Sequence, residues 1–333
     1  MSKKYDVFGM GNALVDFEFE VDDSFFEENG IQKGLMTLVD EERQNFLMDV
    51  LHNIPAKKQC GGSAANTVIA LSQFGGKSYY SCKVADDDTG HFYAKDLKEN
   101  GVDSNLDEQR VPVGITGKCL VMISPDAERT MNTFLGITAE YDSQRIDEEA
   151  LANSEYLYIE GYLITGPDSR DAIRHAMKLA RKHNTKIAMT FSDPGIIAGF
   201  KEEFHSLLEE PIDMLFCNEA EALSFTDTET VIDAREALKP FAKHFAITQG
   251  KNGAIIYDGL TYIDIEPYPV EAINTNGAGD MFAGAFLYGL TQNHGFAQSG
   301  IFAAYASSKV VTVMGPRLDM TDAKEVSRII TEL

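Results

Sequence analysis

Long apolar runs, an excess of basic residues and paired cysteines are all missing from this chain, and each absence closes off a class of function. No apolar stretch reaches the roughly 18 residues that a membrane helix requires. The opening Met1-Ser2-Lys3-Lys4-Tyr5-Asp6 leads only to a run too short for the core of a secretion signal. A cytoplasmic protein without a membrane partner is expected. Cys60, Cys82, Cys119 and Cys217 stand apart with no CxxC spacing, the pattern of reduced core thiols rather than of a disulfide framework or a zinc site. Seven histidines include no HExxH pair, so no transition-metal centre is indicated. Only 29 basic residues stand against 52 acidic ones, a formal charge of −23. Nucleic acids and anionic membranes both require a basic face, so neither is expected as a partner. A phosphate site can survive such a charge where local helix termini and a divalent cation hold the anion. The 333 residues are enough for one large α/β domain or for two.

What the chain does have is glycine placed before helices. Asn274-Thr275-Asn276-Gly277-Ala278-Gly279-Asp280 runs into the apolar Met281-Phe282-Ala283-Gly284-Ala285-Phe286-Leu287. A helix starting inside such a loop presents unpaired N–H groups and the positive end of its macrodipole, an anion site. Asp280, one turn in, is placed to take a proton from an attacking hydroxyl. The seven residues alone leave a second reading open: an ordinary loop before a core helix, with Asp280 a solvated first-turn acid. Gly61-Gly62-Ser63-Ala64-Ala65-Asn66 opens a similar junction and sets Asn66 about one turn in; a plain helix start with a packed alanine face fits it equally.

Two apparent motifs fail. Gly9-Met10-Gly11 begins like a dinucleotide fingerprint, but Leu14 occupies the third glycine position, and residues 16–21 alternate with period two as a half-buried strand does. A dinucleotide-dependent oxidoreductase would account for Gly9 and Gly11 alone. Gly76-Lys77-Ser78 imitates the end of a Walker A loop, but Leu71 stands where glycine is required.

In chain order, a strand over 5–11 precedes the alternating segment, a short turn with Phe25 and Phe26, a strand over 35–39 and a helix from Asp40 to about Leu51. A helix over 88–100 stops at Gly101. Residues 116–124 and 129–135 read as a hairpin around Pro125-Asp126-Ala127-Glu128. Cys119-Leu120-Val121-Met122-Ile123 is apolar on both faces, so this sheet should be covered on both sides. Ligand and main domain would cover one side, and the Phe25/Phe26 segment or a partner subunit the other. From residue 156 strands and helices alternate, which specifies a doubly wound, mostly parallel α/β sheet with helices on both faces. Its ligands should sit at the carboxyl ends of the strands. The expectation is one domain over 1–333, with a small β-rich lid formed by about 16–39 and 112–137.

Taken together, five motifs in order resemble the ribokinase-like (PfkB) carbohydrate and nucleoside kinases over essentially the whole chain. Gly9-Met10-Gly11-Asn12-Ala13-Leu14-Val15-Asp16 looks like the N-terminal motif, which implies Asn12 and Asp16 as acceptor ligands. Gly61, Gly62 and Asn66 match the second sugar-binding element. Asn218-Glu219-Ala220-Glu221 resembles NxxE, which implies Asn218 near the phosphates and Glu221 near magnesium, through water. Thr248, Gly250 and Gly253 resemble the nucleotide-binding TxGxxG. The 274–280 stretch resembles DTxGAGD, with Gly277, Ala278 and Gly279 as anion hole and Asp280 as base. Within the family the nearest look is to adenosine kinases, which implies ATP as phosphoryl donor, magnesium as cofactor, the 5′-hydroxyl of adenosine as acceptor and Tyr162 stacked on the base. A kinase of a free sugar such as ribose or fructose is the alternative, and a catalytically silent nucleoside-binding protein a further one. Arg129 on the hairpin is a candidate second clamp on the phosphates; an ordinary surface arginine is its other reading. Asn274 stands where the family usually has an acid, so no potassium dependence is inferred. A monomer or a homodimer paired through the lid is compatible with the sequence.

Overall fold

The computed structural model describes residues 3–106, 112–126 and 128–332; Met1 and Ser2 of the opening segment and Ala127 of the hairpin turn lie outside the described residues. The strands are β1 (Tyr5–Met10), β2 (Leu14–Glu20), β3 (Met36–Leu38), β4 (Lys57–Gly61), β5 (Ser78–Ser81), β6 (Val102–Ser104) and β7 (Thr116–Ile123). They continue with β8 (Arg129–Gly136), β9 (Ser154–Ile159), β10 (Lys186–Thr190), β11 (Met214–Asn218), β12 (Phe245–Thr248), β13 (Ala254–Tyr257) and β14 (Tyr262–Ile265).

Nine of them form the main sheet, in the order β14-β13-β12-β11-β10-β9-β1-β5-β6. All neighbours from β12 to β6 pair in parallel; β13 alone is reversed, so that its pairings with β12 and β14 are antiparallel. The central strands read as nearly continuous apolar runs because both faces are buried. Alternate residues supply the two layers: Val7, Tyr158, Ala188 and Phe216 belong to one apolar cluster, and Phe8, Leu157, Met189 and Leu215 to the other. The first layer lies under the helices Ser63–Gln73, Ala278–Thr291 and Phe296–Val310, the second under Pro167–Lys182 and Pro194–Leu207. Among the described residues no helix is long and apolar enough to cross a membrane.

The other five strands form a smaller sheet, ordered β3-β8-β7-β2-β4. β7 and β8 are the expected antiparallel hairpin. The period-two segment places Val15, Phe17, Phe19 and Val21 on one face, packed with Leu120, Met122, Phe26, Leu47 and Leu51. Cover for that face therefore comes from the same chain, from the short helix Asp23–Glu28 and from the helix Glu41–Leu51, whose N-cap Asp40 accepts from the Arg43 backbone N–H. One strand of this sheet was not anticipated, as β5, β6, β13 and β14 of the main sheet were not. β4 pairs antiparallel with β2, so the small sheet reaches beyond residues 16–39 and 112–137. Lys57-Lys58-Gln59 has no apolar alternation to announce it; the edge strand is held by the ladder and not by burial.

Candidate active site

A cavity of about 370 Å³ lies between the carboxyl edge of the main sheet and the inner face of the small one, within the range of small-molecule sites. Of the residues singled out from sequence, Asn12, Asp16, Gly62, Asn66, Tyr162, Asn218, Glu221, Thr248, Gly277, Gly279 and Asp280 stand on its wall. Gly61, Arg129, Gly250, Gly253 and Ala278 do not.

The end of the cavity at Asp280 is built by two helix starts brought together. Gly284 has no side chain where a Cβ would lie 2.5 Å from the Thr67 carbonyl oxygen, so the helices Ser63–Gln73 and Ala278–Thr291 cross at close range. Ser63 Oγ consequently donates to Asp280 Oδ1 at 2.6 Å and Asn66 Nδ2 donates to Oδ2 at 3.0 Å. Burial pushes the Asp280 carboxyl up to about 6, against the pull of those two hydrogen bonds. Below it, Gly277 adopts a left-handed φ of +74°, and a Cβ there would lie 2.4 Å from the Pro316 carbonyl oxygen. Gly277 and Gly279 stand on the cavity wall at the start of the helix, where the first N–H groups have no intrahelical acceptor; the Ala278 N–H donates to the Thr275 carbonyl at 3.3 Å, and around Gly279 the space is open. Ala278 begins the helix from behind, its carbonyl accepting from Ser307 Oγ at 3.0 Å. Asn274 is buried and shapes the turn: its Oδ1 accepts from the Asn276 backbone N–H at 2.8 Å and its Nδ2 donates to the Gly315 carbonyl at 3.1 Å.

The end of the cavity at Asp16 lies under the small sheet. Asp16 is 8% exposed, and its carboxylate rests where a Cβ on Gly61 would fall, 2.1 Å from Oδ1. Gly61 is thus the seat of Asp16 and not part of the wall. Burial raises Asp16 to about 7; Arg317 and Arg129 oppose the rise, and Glu18 and Asp280 add to it. Asn66 Oδ1 is buried with no hydrogen-bond partner, the state of a group that awaits a donor. Apolar side chains of Leu14, Met36, Leu38, Met131 and Leu135 face Tyr162 and Ile196 across the cavity. Among the described residues no lysine or arginine lines the wall, whereas Asp16, Glu160, Asp193, Glu221 and Asp280 all do.

At the opposite end, Asn218 and Glu221 form a reciprocal capping box at the start of the helix Glu219–Thr226. Glu221 Oε2 accepts from the Asn218 backbone N–H at 3.0 Å, and Oε1 accepts from Nδ2 at 2.8 Å. Burial, with Asp193 and Asp280 nearby, raises Glu221 to about 7. Thr248 ends β12 on the wall, and Gly250 and Gly253 shape the turn into β13, where the Gly253 carbonyl accepts from the Gln249 backbone N–H at 2.8 Å. Arg129 sits at the far end of β8, 3.9 Å from Glu18, and its two terminal nitrogens are buried without partners.

Among the wall residues given no role from sequence are the polar groups Glu160, Ser63, Ser192 and Asp193. Glu160 directly follows β9, accepts from Asn12 Nδ2 and from the Ala64 backbone N–H, both at 2.9 Å, and is raised to about 7 by burial. Ser63 was read only as part of a glycine junction. Ser192 has a left-handed φ of +72°, and Asp193 beside it caps the helix Pro194–Leu207. The available signal was position alone: a polar residue directly after an apolar strand, at the sheet edge where ligands bind.

Residues 35–323 match the pfkB family carbohydrate kinase profile. The 5-dehydro-2-deoxygluconokinase of Clostridium perfringens is 27% identical over 353 aligned positions, which cover 98% of this chain and 93% of the relative. Two solved structures are similar throughout. A probable sugar kinase from Rhizobium etli superposes with a TM-score of 0.90 at 32% identity, over 99% of this chain and 100% of the other. Adenosine kinase from Sinorhizobium meliloti superposes with a TM-score of 0.89 at 34% identity, over 98% and 99%.

Proposed function

The chain belongs to the pfkB family of carbohydrate kinases, and from that premise we propose that it transfers a phosphoryl group from ATP to the 5′-hydroxyl of a nucleoside, adenosine first, yielding AMP and ADP. The observation that carries this reading is the make-up of the cavity wall as a whole: an aromatic ring and apolar side chains, five carboxylates and no cationic side chain among the described residues. A sugar acid of the kind named for the Clostridium relative would bring its own carboxylate into that field with nothing to neutralise it. A neutral nucleoside meets no such penalty, and its flat base suits the space between Tyr162 and the apolar residues of the small sheet.

In this reading Asp16 and the unpaired Asn66 Oδ1 accept from the ribose hydroxyls and hold the 5′-oxygen toward Asp280, which takes its proton. The N–H groups of the Gly277-Ala278-Gly279 turn receive the transferred phosphoryl. Asn218, Thr248, Gly250 and Gly253 form the nucleotide side. Among the described residues no cluster of three His, Cys, Asp or Glu side chains can hold a metal by itself. That fits magnesium carried in on phosphates with most of its waters retained, held through water by Glu221 and Asn218. When bound, magnesium would supply charge neutralisation to the phosphates, and Glu221, raised first by burial and then by Asp193 and Asp280, would gain the cation it lacks. The small sheet acts as the lid that excludes water; Arg129 reaches the phosphates only if closure frees it from Glu18.

The test is magnesium-dependent ADP release from ATP with adenosine, inosine, guanosine, ribose, fructose and a gluconate-type sugar acid, beside a control without acceptor. Turnover on adenosine supports the proposal. Turnover on ribose or fructose alone keeps the mechanism and reduces Tyr162 to packing; turnover on the sugar acid refutes the argument from an acidic wall without cations.

A further inference from the structure

The turn of residues 314–318 lies between the helices Phe296–Val310 and Met320–Arg328, and parts of both halves of the site converge on it. The Gly315 carbonyl accepts from Asn274 Nδ2 at 3.1 Å, the Met314 carbonyl from Lys57 Nζ at 3.2 Å and the Leu318 carbonyl from Gln73 Nε2 at 3.1 Å. Gly277 packs directly on Pro316. In the middle of the turn, Arg317 points inward. Its Nη2 donates to Asp96 Oδ2, on the helix Asp88–Glu99, at 3.1 Å, and the two side chains are only 8% and 20% exposed. The same Asp96 oxygen accepts from the Cys60 backbone N–H at 3.0 Å, one residue before the Gly61 seat of Asp16.

We propose that Arg317 is a positioning residue for the phosphoryl transfer: through Asp96 it ties β4, and with it the seat of Asp16, to the 314–318 turn on which Gly277 and Asn274 of the Asp280 segment rest, and it sets a fixed cation behind Asp16. Neither Arg317 nor Asp96 is on the cavity wall, so neither touches the acceptor. A buried ion pair gains little net stability, and its best-attested use is to fix one arrangement among several. Here the fixed quantity is the offset between the group that holds the acceptor and the group that deprotonates it, where an error near 1 Å is costly in rate. The cation has a second effect. Facing Asp16 are Glu18 on its own strand, Cys119 and Arg129 on β7 and β8, Asp280 at the helix start, and Arg317. Of these Arg317 is the strongest influence that keeps the Asp16 carboxyl ionised against burial, and only the carboxylate accepts from two sugar hydroxyls at once.

The kinetic part of the test rests on the kinase reading above; the exchange part does not. In the protein without ligands, Arg317→Gln and Asp96→Asn are expected to speed hydrogen exchange several-fold in both 57–61 and 274–280, while exchange in β9 to β11 stays as in wild type and reports an intact core. Unchanged exchange in either segment overturns the tie. In steady-state kinetics, Arg317→Gln should move the acidic limb of kcat/KM for the acceptor to higher pH by roughly one unit, which raises KM at pH 7 about fivefold. Arg317→Lys should restore most of it. Asp96→Asn keeps the cation and removes its counter-charge, so the limb should move the other way. A merely structural role would lower kcat with the fraction folded and leave the limb where it was, and that result, or equal shifts in Arg317→Gln and Asp96→Asn, refutes the proposal. If wild type turns over none of the acceptors, the function above fails while the exchange result still decides the tie.

Discussion

Asparagine in place of Asp280 should abolish turnover and stabilise the protein in one step. The carboxylate accepts from Ser63 and Asn66, yet burial raises it from 3.8 to about 6. At about 1.36 kcal/mol per pH unit, keeping the charge at pH 7 costs the folded state about 3 kcal/mol. That is an upper figure, because the residue is half-buried and solvent screens part of it. For an acid raised on folding, the folded state holds the proton more tightly than the unfolded state. Its stabilising contribution is full below the unfolded value and is lost as pH climbs toward about 6. Asparagine is neutral throughout and removes the loss. Ser63 can still donate to its oxygen, and Asn66, whose Oδ1 has no partner, can turn its amide to accept from the new donor. Urea unfolding followed by circular dichroism should show Asp280→Asn more stable by about 1–3 kcal/mol at pH 7, with the gain reduced to about 1 kcal/mol or less at pH 4.5. Turnover should fall by roughly 10²–10⁴, which corresponds to about 3–5 kcal/mol of barrier. A variant less stable than wild type at pH 7, or a gain that does not shrink in acid, would refute the electrostatic argument. Turnover within a few-fold of wild type would remove Asp280 as the base.

Tyr162→Ala should raise the nucleoside KM roughly 5–150-fold, the worth of about 1–3 kcal/mol of base stacking, while Tyr162→Phe stays near wild type; steady-state kinetics with equal KM in all three proteins would exclude stacking. Gly61→Ala places a Cβ 2.1 Å from Asp16 Oδ1, so calorimetric acceptor affinity should drop about tenfold or more, and an unchanged affinity would separate Asp16 from acceptor binding. Asp16, Glu160 and Glu221 are all raised to about 7 by burial, so the ligand-free protein should gain thermal stability as pH falls from 8 to 6, opposite to ordinary acid denaturation. A melting temperature that falls over that interval would show that these groups are solvated rather than buried.

Much of the molecule is legible as local chemistry. The apolar runs that became β1 and β9 to β12, the period-two segment of β2, the Asp40 cap and the glycine-to-helix junctions are each encoded within a few neighbouring residues, because hydrophobic period, N-caps and positive φ are short-range properties. The carboxyl-edge rule then placed Asn218, Thr248 and Asp280 on one side of the sheet before any contact was known. What eludes such reading is pairing at a distance. Ser63 meets Asp280 across 217 residues, Arg317 meets Asp96 across 221, and Asn12 meets Glu160 across 148. β4 is a strand only because β2 offers it a ladder. Arg129 looked free to reach a phosphate and instead faces Glu18. Motif residues and their chemistry thus follow from the amino-acid order alone. Which carboxylates are buried and raised, which donors hold Asp280, and how the acceptor seat is tied to the catalytic turn depend on helices that cross at Gly284 and a turn that packs at Pro316, contacts that exist only once distant segments share one close-packed interior.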